Sequence, residues 1–266
     1  MTFEKKYYEM AKHKESKYDV FPRREMAAFL SNNLKSGSDM LDVGCGIAGV
    51  LHYIPAVRYT GIETSEFALT EARIIWKDRE HTTFTVGKAY ELPFESNRFD
   101  CVLMMYSLEH FIKPQEALKE AIRVLKPGGH LVIAAPSFEL PIFNWPHPTL
   151  AHQSLRYKPY WYRLRFFLGC CVDAIGLLFG RRVFRTLSEN YTSATGRFEF
   201  PDDDLWHVVS AWEVIGFLET NGMQLEKFWE DIPLASRRHA RALRLIRSIP
   251  TLHYFGTPLV ASFKKD

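Results

Sequence analysis

Between residues 22 and 136 the chain alternates short apolar, β-branched runs with stretches of helical period, and few folds accept that rhythm. Near-continuous apolar strands bury both faces, so they belong in a parallel sheet with helices packed on each side. Right-handed crossovers wind such a sheet in two directions and leave a ligand crevice at the carboxyl ends of its strands. The sequence predicts strands at Met40–Val43, Tyr59–Glu63, Phe84–Lys88, Phe99–Met105 and His130–Ala135. A helix opens at Pro22 and ends at Gly37, proline suiting a first turn and glycine a last one. Thr64 or Ser65 caps a helix reaching about Arg79, and Pro114–Leu125 forms another that closes on a turn at Lys126-Pro-Gly-Gly129.

The rhythm stops from Ser137 to Asp204, a stretch rich in aromatics, proline and arginine that reads as an inserted cap. It resumes at Ser210-Ala-Trp-Glu213, a capping box that starts a helix running to about Asn221-Gly222. Gln224–Trp229 and Pro258–Phe263 are the sixth and seventh expected strands. The predicted class is therefore α/β, a doubly wound, mostly parallel seven-stranded sheet with a helical cap insertion. Its expected parts are N-terminal helices over the site (1–36), a ligand-binding core (37–136), the cap (137–204), and the returning end of the core (205–266).

The topology gathers Gly44, Glu63, Lys88 to Tyr90 and Met105 to His110 around one crevice. Gly44-Cys-Gly46-Ile-Ala-Gly49 follows a strand, and glycines let backbone approach a ligand closely. Glu63 closes the next strand, where a carboxylate can accept both hydroxyls of a ribose. These two features point to an adenosine-containing cofactor without separating a nicotinamide dinucleotide from S-adenosylmethionine. Asp42, just ahead of the loop, disfavours a pyrophosphate and welcomes a cationic sulfonium. Pro55 interrupts the helix after the loop, so no long dipole aims at a pyrophosphate.

Leu41-Asp-Val-Gly-Cys-Gly, Gly87-Lys-Ala-Tyr-Glu-Leu-Pro-Phe94, Asn97-Arg-Phe-Asp-Cys-Val102, Ser107-Leu-Glu-His110 and Arg123-Val-Leu-Lys-Pro-Gly-Gly129 occur in that order. The set resembles the class I S-adenosylmethionine-dependent methyltransferases, in particular their ubiquinone/menaquinone-biosynthesis-like (methyltransferase type 11) branch. The likeness runs from about Met40 to Pro136. It implies S-adenosyl-L-methionine as cofactor, with Gly44, Cys45, Gly46 and Gly49 of the loop along its methionine and ribose portion and Asp42 nearby. It also implies Glu63 on the ribose, Thr64 beside the adenine, Ala89 and Tyr90 at the adenine edge, and Met105 at the methionyl end. Lys88 departs from the pattern: the family usually has an aspartate there, accepting from the adenine amino group, which lysine cannot do.

In-line methyl transfer needs alignment and water exclusion, and a base only where the acceptor must lose a proton. His110, just beyond the fourth strand, is the candidate general base, with packing or capping as the competing reading for it and for Glu109. Tyr7, Tyr106, Trp145 and His147 are candidate acceptor contacts. The chemistry expected is methyl transfer to a small-molecule, glycan or lipid-linked acceptor at oxygen. The alternatives are a nicotinamide-dependent oxidoreductase sharing the glycine loop, and a catalytically silent scaffold that still binds the cofactor.

Composition narrows the partners. A net charge of +3 does not imply nucleic-acid binding, and Met104-Met-Tyr-Ser107 lacks the signatures of nucleic-acid methylation. Pro201-Asp-Asp-Asp204 reads as a solvated turn, and no metal is expected. Cys45, Cys101, Cys170 and Cys171 show no C-x-x-C spacing, and Met1–Tyr8 lacks a secretory apolar core, so a cytoplasmic chain with free thiols is expected. The apolar run 161–185 is broken by Asp173 and too short to span a bilayer. Arginines flank it, and Arg237, Arg238, Arg241, Arg244 and Arg247 add a second basic segment over 237–247. Either the run caps the pocket or a dimer seam, or it meets the inner face of a membrane as a peripheral anchor.

Overall fold

In the computed structural model, residues 23–54, 56–135, 206, 209–229 and 259–266 are described, with single positions between 160 and 186. Tyr7, Trp145, His147 and the basic segment 237–247 lie outside them. Helix α1 (Arg23–Asn33) leads into β1 (Asp39–Val43), a 3-10 turn (Gly49–His52) and β2 (Arg58–Glu63). Helix α2 (Glu66–Ile75), β3 (Thr82–Val86), β4 (Phe99–Met105), α3 (Pro114–Val124) and β5 (Leu125–Ala135) follow. Helix α4 (Ala211–Thr220) then precedes β6 (Met223–Phe228) and β7 (Leu259–Lys265).

The seven strands form one sheet in the order β3-β2-β1-β4-β5-β7-β6. Strands β1 to β5 run parallel to one another, and β7 is antiparallel to both β5 and β6. The doubly wound, mostly parallel α/β sheet expected from the sequence is therefore the observed one. The chain leaves β1 in one direction and β4 in the other, so the crevice between them opens at the switch of strand order.

Side chains alternate across the sheet and divide the core in two. Leu41, Val43, Val102 and Met104 pack with Leu118 and Ala121 of α3 and Val214 and Phe217 of α4. On the other face Met40, Cys101, Leu103 and Val132 pack with Met26 and Leu30 of α1. Cys101 and Met104 are core, as their positions in the strand pattern require.

The motif residues explain much of the joinery. The Asp100 carboxylate accepts from the Asp39 N–H at 2.8 Å and from Lys126 Nζ at 2.8 Å, tying the entrances of β1, β4 and β5 together. Ser65, not Thr64, caps α2 and accepts from Ala68 N–H at 3.2 Å; that helix ends at Ile75 rather than near Arg79. Ser210 caps α4 by accepting from Glu213 N–H, while the Glu213 carboxylate accepts from Phe184 N–H at 2.6 Å. The turn expected at Lys126-Pro-Gly-Gly129 is instead the start of β5. Gly128 at φ +75° and a register shift opposite Phe99 and Cys101 take up the change of direction inside the sheet. No helix among the described residues is long and apolar enough to cross a membrane.

Asp100→Ala removes two acceptor sites that hold three strands, and it should lower stability by about 1–3 kcal/mol. Urea unfolding followed by circular dichroism measures this; an unchanged midpoint would show that the tie contributes nothing.

Candidate functional site

A cavity of about 370 Å³ lies at the carboxyl ends of β1, β2, β3 and β4, within the size range of small-molecule sites. Its wall includes Gly44 and Gly46 from the loop after β1, Glu63, Thr64 and Ser65 after β2, and Lys88, Ala89 and Tyr90 after β3. Tyr106, Ser107, His110, Phe111 and Ile112 follow β4, and Trp206 closes the set.

Glycine is required at 44. Its φ is +74°, and an added Cβ would stand 2.6 Å from Cβ of Ser107, whose hydroxyl donates to the Val43 carbonyl at 2.8 Å. The close crossing of the two loops leaves no room for a side chain.

Glu63 is the organiser of this end of the sheet. Its Oε1 accepts from Thr64 N–H at 2.7 Å, from Thr64 Oγ1 at 3.0 Å and from Ser65 N–H at 3.1 Å. Its Oε2 accepts from Gly46 N–H at 3.1 Å, which pins the glycine loop to the end of β2. An acceptor-only carboxylate facing a cavity is suited to a vicinal diol, whose two hydroxyls would share or exchange these donors.

Residues 41–133 match the methyltransferase-domain family. That match covers about a third of the chain and agrees with the likeness of the motifs to class I S-adenosylmethionine-dependent methyltransferases. A demethylmenaquinone methyltransferase of Staphylococcus saprophyticus is 40% identical over 105 residues, which is 38% of this chain and 45% of that protein. The norajmaline N-methyltransferase of Rauvolfia serpentina is 33% identical over 131 residues, 47% of this chain and 42% of that one. The chain spans less than half the length of these relatives. In fold, it is similar to the YcgJ protein of Bacillus subtilis, with a TM-score of 0.53 at 17% identity over 91% of this chain and 93% of that one. The cofactor of the methyltransferase domain is S-adenosylmethionine.

Of the loop, strand-end and base residues expected from the sequence, Gly44, Gly46, Glu63, Thr64, Ala89, Tyr90, Tyr106 and His110 line the cavity together. Asp42, Cys45, Gly49 and Met105 are not on its wall. Asp42 and Cys45 are turned into the protein by the pleat and the loop's turn, Gly49 opens the 3-10 turn, and Met105 packs against the α1 side of the core. Phe111, Ile112 and Trp206 were missed. Trp206 donates its N–H to the Glu109 carbonyl at 2.9 Å, a pairing across nearly one hundred residues that no local pattern reveals.

The β3 side of the crevice is cationic. Lys88 Nζ lies 6.0 Å and Lys113 Nζ 5.5 Å from the Tyr90 ring centroid, within reach of cation–π attraction. Across the opening, Tyr106 takes φ +53° and is 42% exposed. A bulky residue held in this region costs about 1–3 kcal/mol and marks a site where strain is maintained by its surroundings. His110 is half-buried with Nε2 4.0 Å from Glu109 Oε1, and the Glu109 carboxyl is itself buried. Among the described residues no cluster could hold a metal ion.

Behind the wall, Asp42 is 2% exposed; its Oδ2 accepts from the Tyr59 hydroxyl at 2.7 Å, and its Oδ1 has no partner. Burial pushes its carboxyl up to about 7, with the Tyr59 bond opposing and the Glu63 charge adding. The same burial raises the Cys45 and Cys101 thiols and the Tyr59 phenol, so all three stay protonated.

An Asp pKa above its unfolded value near 3.9 means that the native protein retains a proton the unfolded chain has lost between about pH 4 and pH 7. This contribution to stability is full at low pH and disappears as pH rises through about 7. Asp42→Asn should therefore melt higher than the parent at pH 8 and lose that advantage towards pH 5, a relative change of about 2.5 kcal/mol. Parallel melting curves for the two ligand-free proteins that stay a constant distance apart would refute it. Tyr106→Gly should relieve strain and melt as high as the parent or higher; a lower melting temperature would mean that the tyrosine's contacts outweigh its backbone.

Proposed function

We propose that this chain transfers a methyl group from S-adenosylmethionine to a small-molecule acceptor, in the finer reading a glycan or lipid-linked one methylated at oxygen. The observation that carries the reading is the cavity built on Gly44, Gly46 and Glu63 at the carboxyl ends of β1 and β2. Its residues suit the cofactor: a carboxylate for the ribose diol, bare backbone for the methionyl part, and Ala89 and Tyr90 for the adenine edge. When bound, the cofactor supplies an electrophilic methyl group on a cationic sulfur. This chain's part is to orient it, exclude water and handle any proton.

A nicotinamide dinucleotide fits less well. The segment after the glycine loop is a four-residue 3-10 turn, so no long helix offers its amino end to a pyrophosphate. The demethylmenaquinone and norajmaline enzymes differ in acceptor, and neither chemistry transfers to this chain through less than half of its relatives' length. His110 supports an oxygen acceptor because it lines the cavity with Glu109 behind it, an arrangement able to take a hydroxyl proton and steady the resulting imidazolium.

Incubation of a host metabolite and lipid extract with methyl-labelled cofactor, followed by mass spectrometry, should yield a labelled product with a new O-methyl group. Label on nitrogen or carbon would refute the oxygen reading, and no label in any pool would favour the silent scaffold. His110→Ala should slow transfer to a hydroxyl acceptor by about 10²–10⁴-fold while leaving cofactor affinity intact; an unaltered rate removes it as the base. Glu63→Ala should weaken cofactor binding by about 1–3 kcal/mol and also lower the melting temperature of the ligand-free protein. An unaltered affinity would contradict its assignment to the ribose.

A further inference from the structure

Among the described residues, a large apolar surface apart from the cavity lies between positions 160 and 175. Residues 160, 161, 164, 165, 168, 169, 172, 175 and 176 are helical. Six of them carry large apolar side chains that point outward: Tyr160 is 62% exposed, Trp161 63%, Leu164 43%, Leu168 54%, Val172 56% and Ile175 58%. On a helix of 3.6 residues per turn these six positions fall within an arc of about 120°. None of them lines the cavity. At these described positions the apolar side chains are exposed and off the cavity wall.

The chemistry around the stripe identifies what it meets. Arg165 is exposed and follows Trp161 by one turn, at the edge of the arc. The sequence adds Arg163 within the run and Arg181, Arg182 and Arg185 just beyond it. Tyr160 and Trp161 stand together at one end, and such amphipathic rings are favoured where apolar and wet surroundings meet. Arg165 at the edge of the stripe carries a positive charge that an anionic surface would neutralise, and the sequence around the run adds more of the same sign. We propose that the exposed stripe from Tyr160 to Ile175 seats this protein on an anionic lipid bilayer, apolar side chains entering the interface and arginines on the headgroups. The surface is distinct from the cofactor cavity, so its failure would leave the methyl-transfer reading untouched.

Flotation of the full chain with extruded vesicles tests this. With equal parts phosphatidylcholine and phosphatidylglycerol at low salt the protein should float, and with phosphatidylcholine alone it should bind at least tenfold more weakly. Leu168→Glu combined with Val172→Glu should cut binding to the anionic vesicles at least tenfold, with an unchanged melting temperature and unchanged calorimetric binding of S-adenosylhomocysteine. Trp161→Phe should remove the lipid-induced blue shift of tryptophan emission while flotation persists. The proposal is overturned by absence from both vesicle fractions, by equal binding to the two compositions, or by undiminished binding of the double variant. It is also overturned if the parent sediments as a dimer that the double variant abolishes, since a second copy would then cover the stripe.

Discussion

The carboxylate of Glu63 holds the working end of this molecule in shape. Its two oxygens gather the N–H groups of Gly46, Thr64 and Ser65, three donors from two loops that would otherwise diverge where β1 and β2 end. Charge-assisted bonds of this kind are worth about 1.5–3 kcal/mol each when buried, and less where water competes. Their larger effect is geometric. With Gly46 pinned, the bare backbone of the loop faces the cavity, and the closing turn at Ser65 starts α2 immediately beyond it. The same oxygens, as acceptors only, are suited to a vicinal diol, which would meet a preformed acceptor.

Around that anchor, the site is a sequence of strand ends with different electrical characters. The β1–β2 end is acidic, with Glu63 on the wall and the carboxyl of Asp42 behind it, near neutral because burial opposes its charge. The end after β3 is basic, with two lysines leaning on Tyr90. Between them the β4 loop presents His110 and the strained Tyr106 at the opening.

The sheet was legible because strand alternation is a property of residue pairs a few positions apart. Leu41 with Val43, and Val102 with Met104, announce the faces they occupy. The positions of Glu63, Gly44 and Gly46 on the cavity wall were legible for the same reason: each follows from a strand that ends beside it. The sequence could not show that Asp42 turns away from the cavity, because one step of pleat decides it. Nor could it show that Trp206 reaches the Glu109 carbonyl, since that contact depends on the path of the intervening insertion. Lys126 to Gly129 looked like a turn because proline and glycine usually are one; pairing with β4 overrode that propensity. The apolar run after Tyr160 was ambiguous in sequence, for hydrophobicity alone does not say which way a helix faces.

The claim on which the rest depends is that the Glu63 cavity is a site for S-adenosylmethionine and not for a dinucleotide. Isothermal titration of the full chain with S-adenosylhomocysteine, and separately with NAD, tests it most directly. The account predicts one site for S-adenosylhomocysteine, with affinity in the roughly micromolar range, about 8 kcal/mol, and no saturable heat with NAD. Saturable binding of NAD with none of S-adenosylhomocysteine would contradict it.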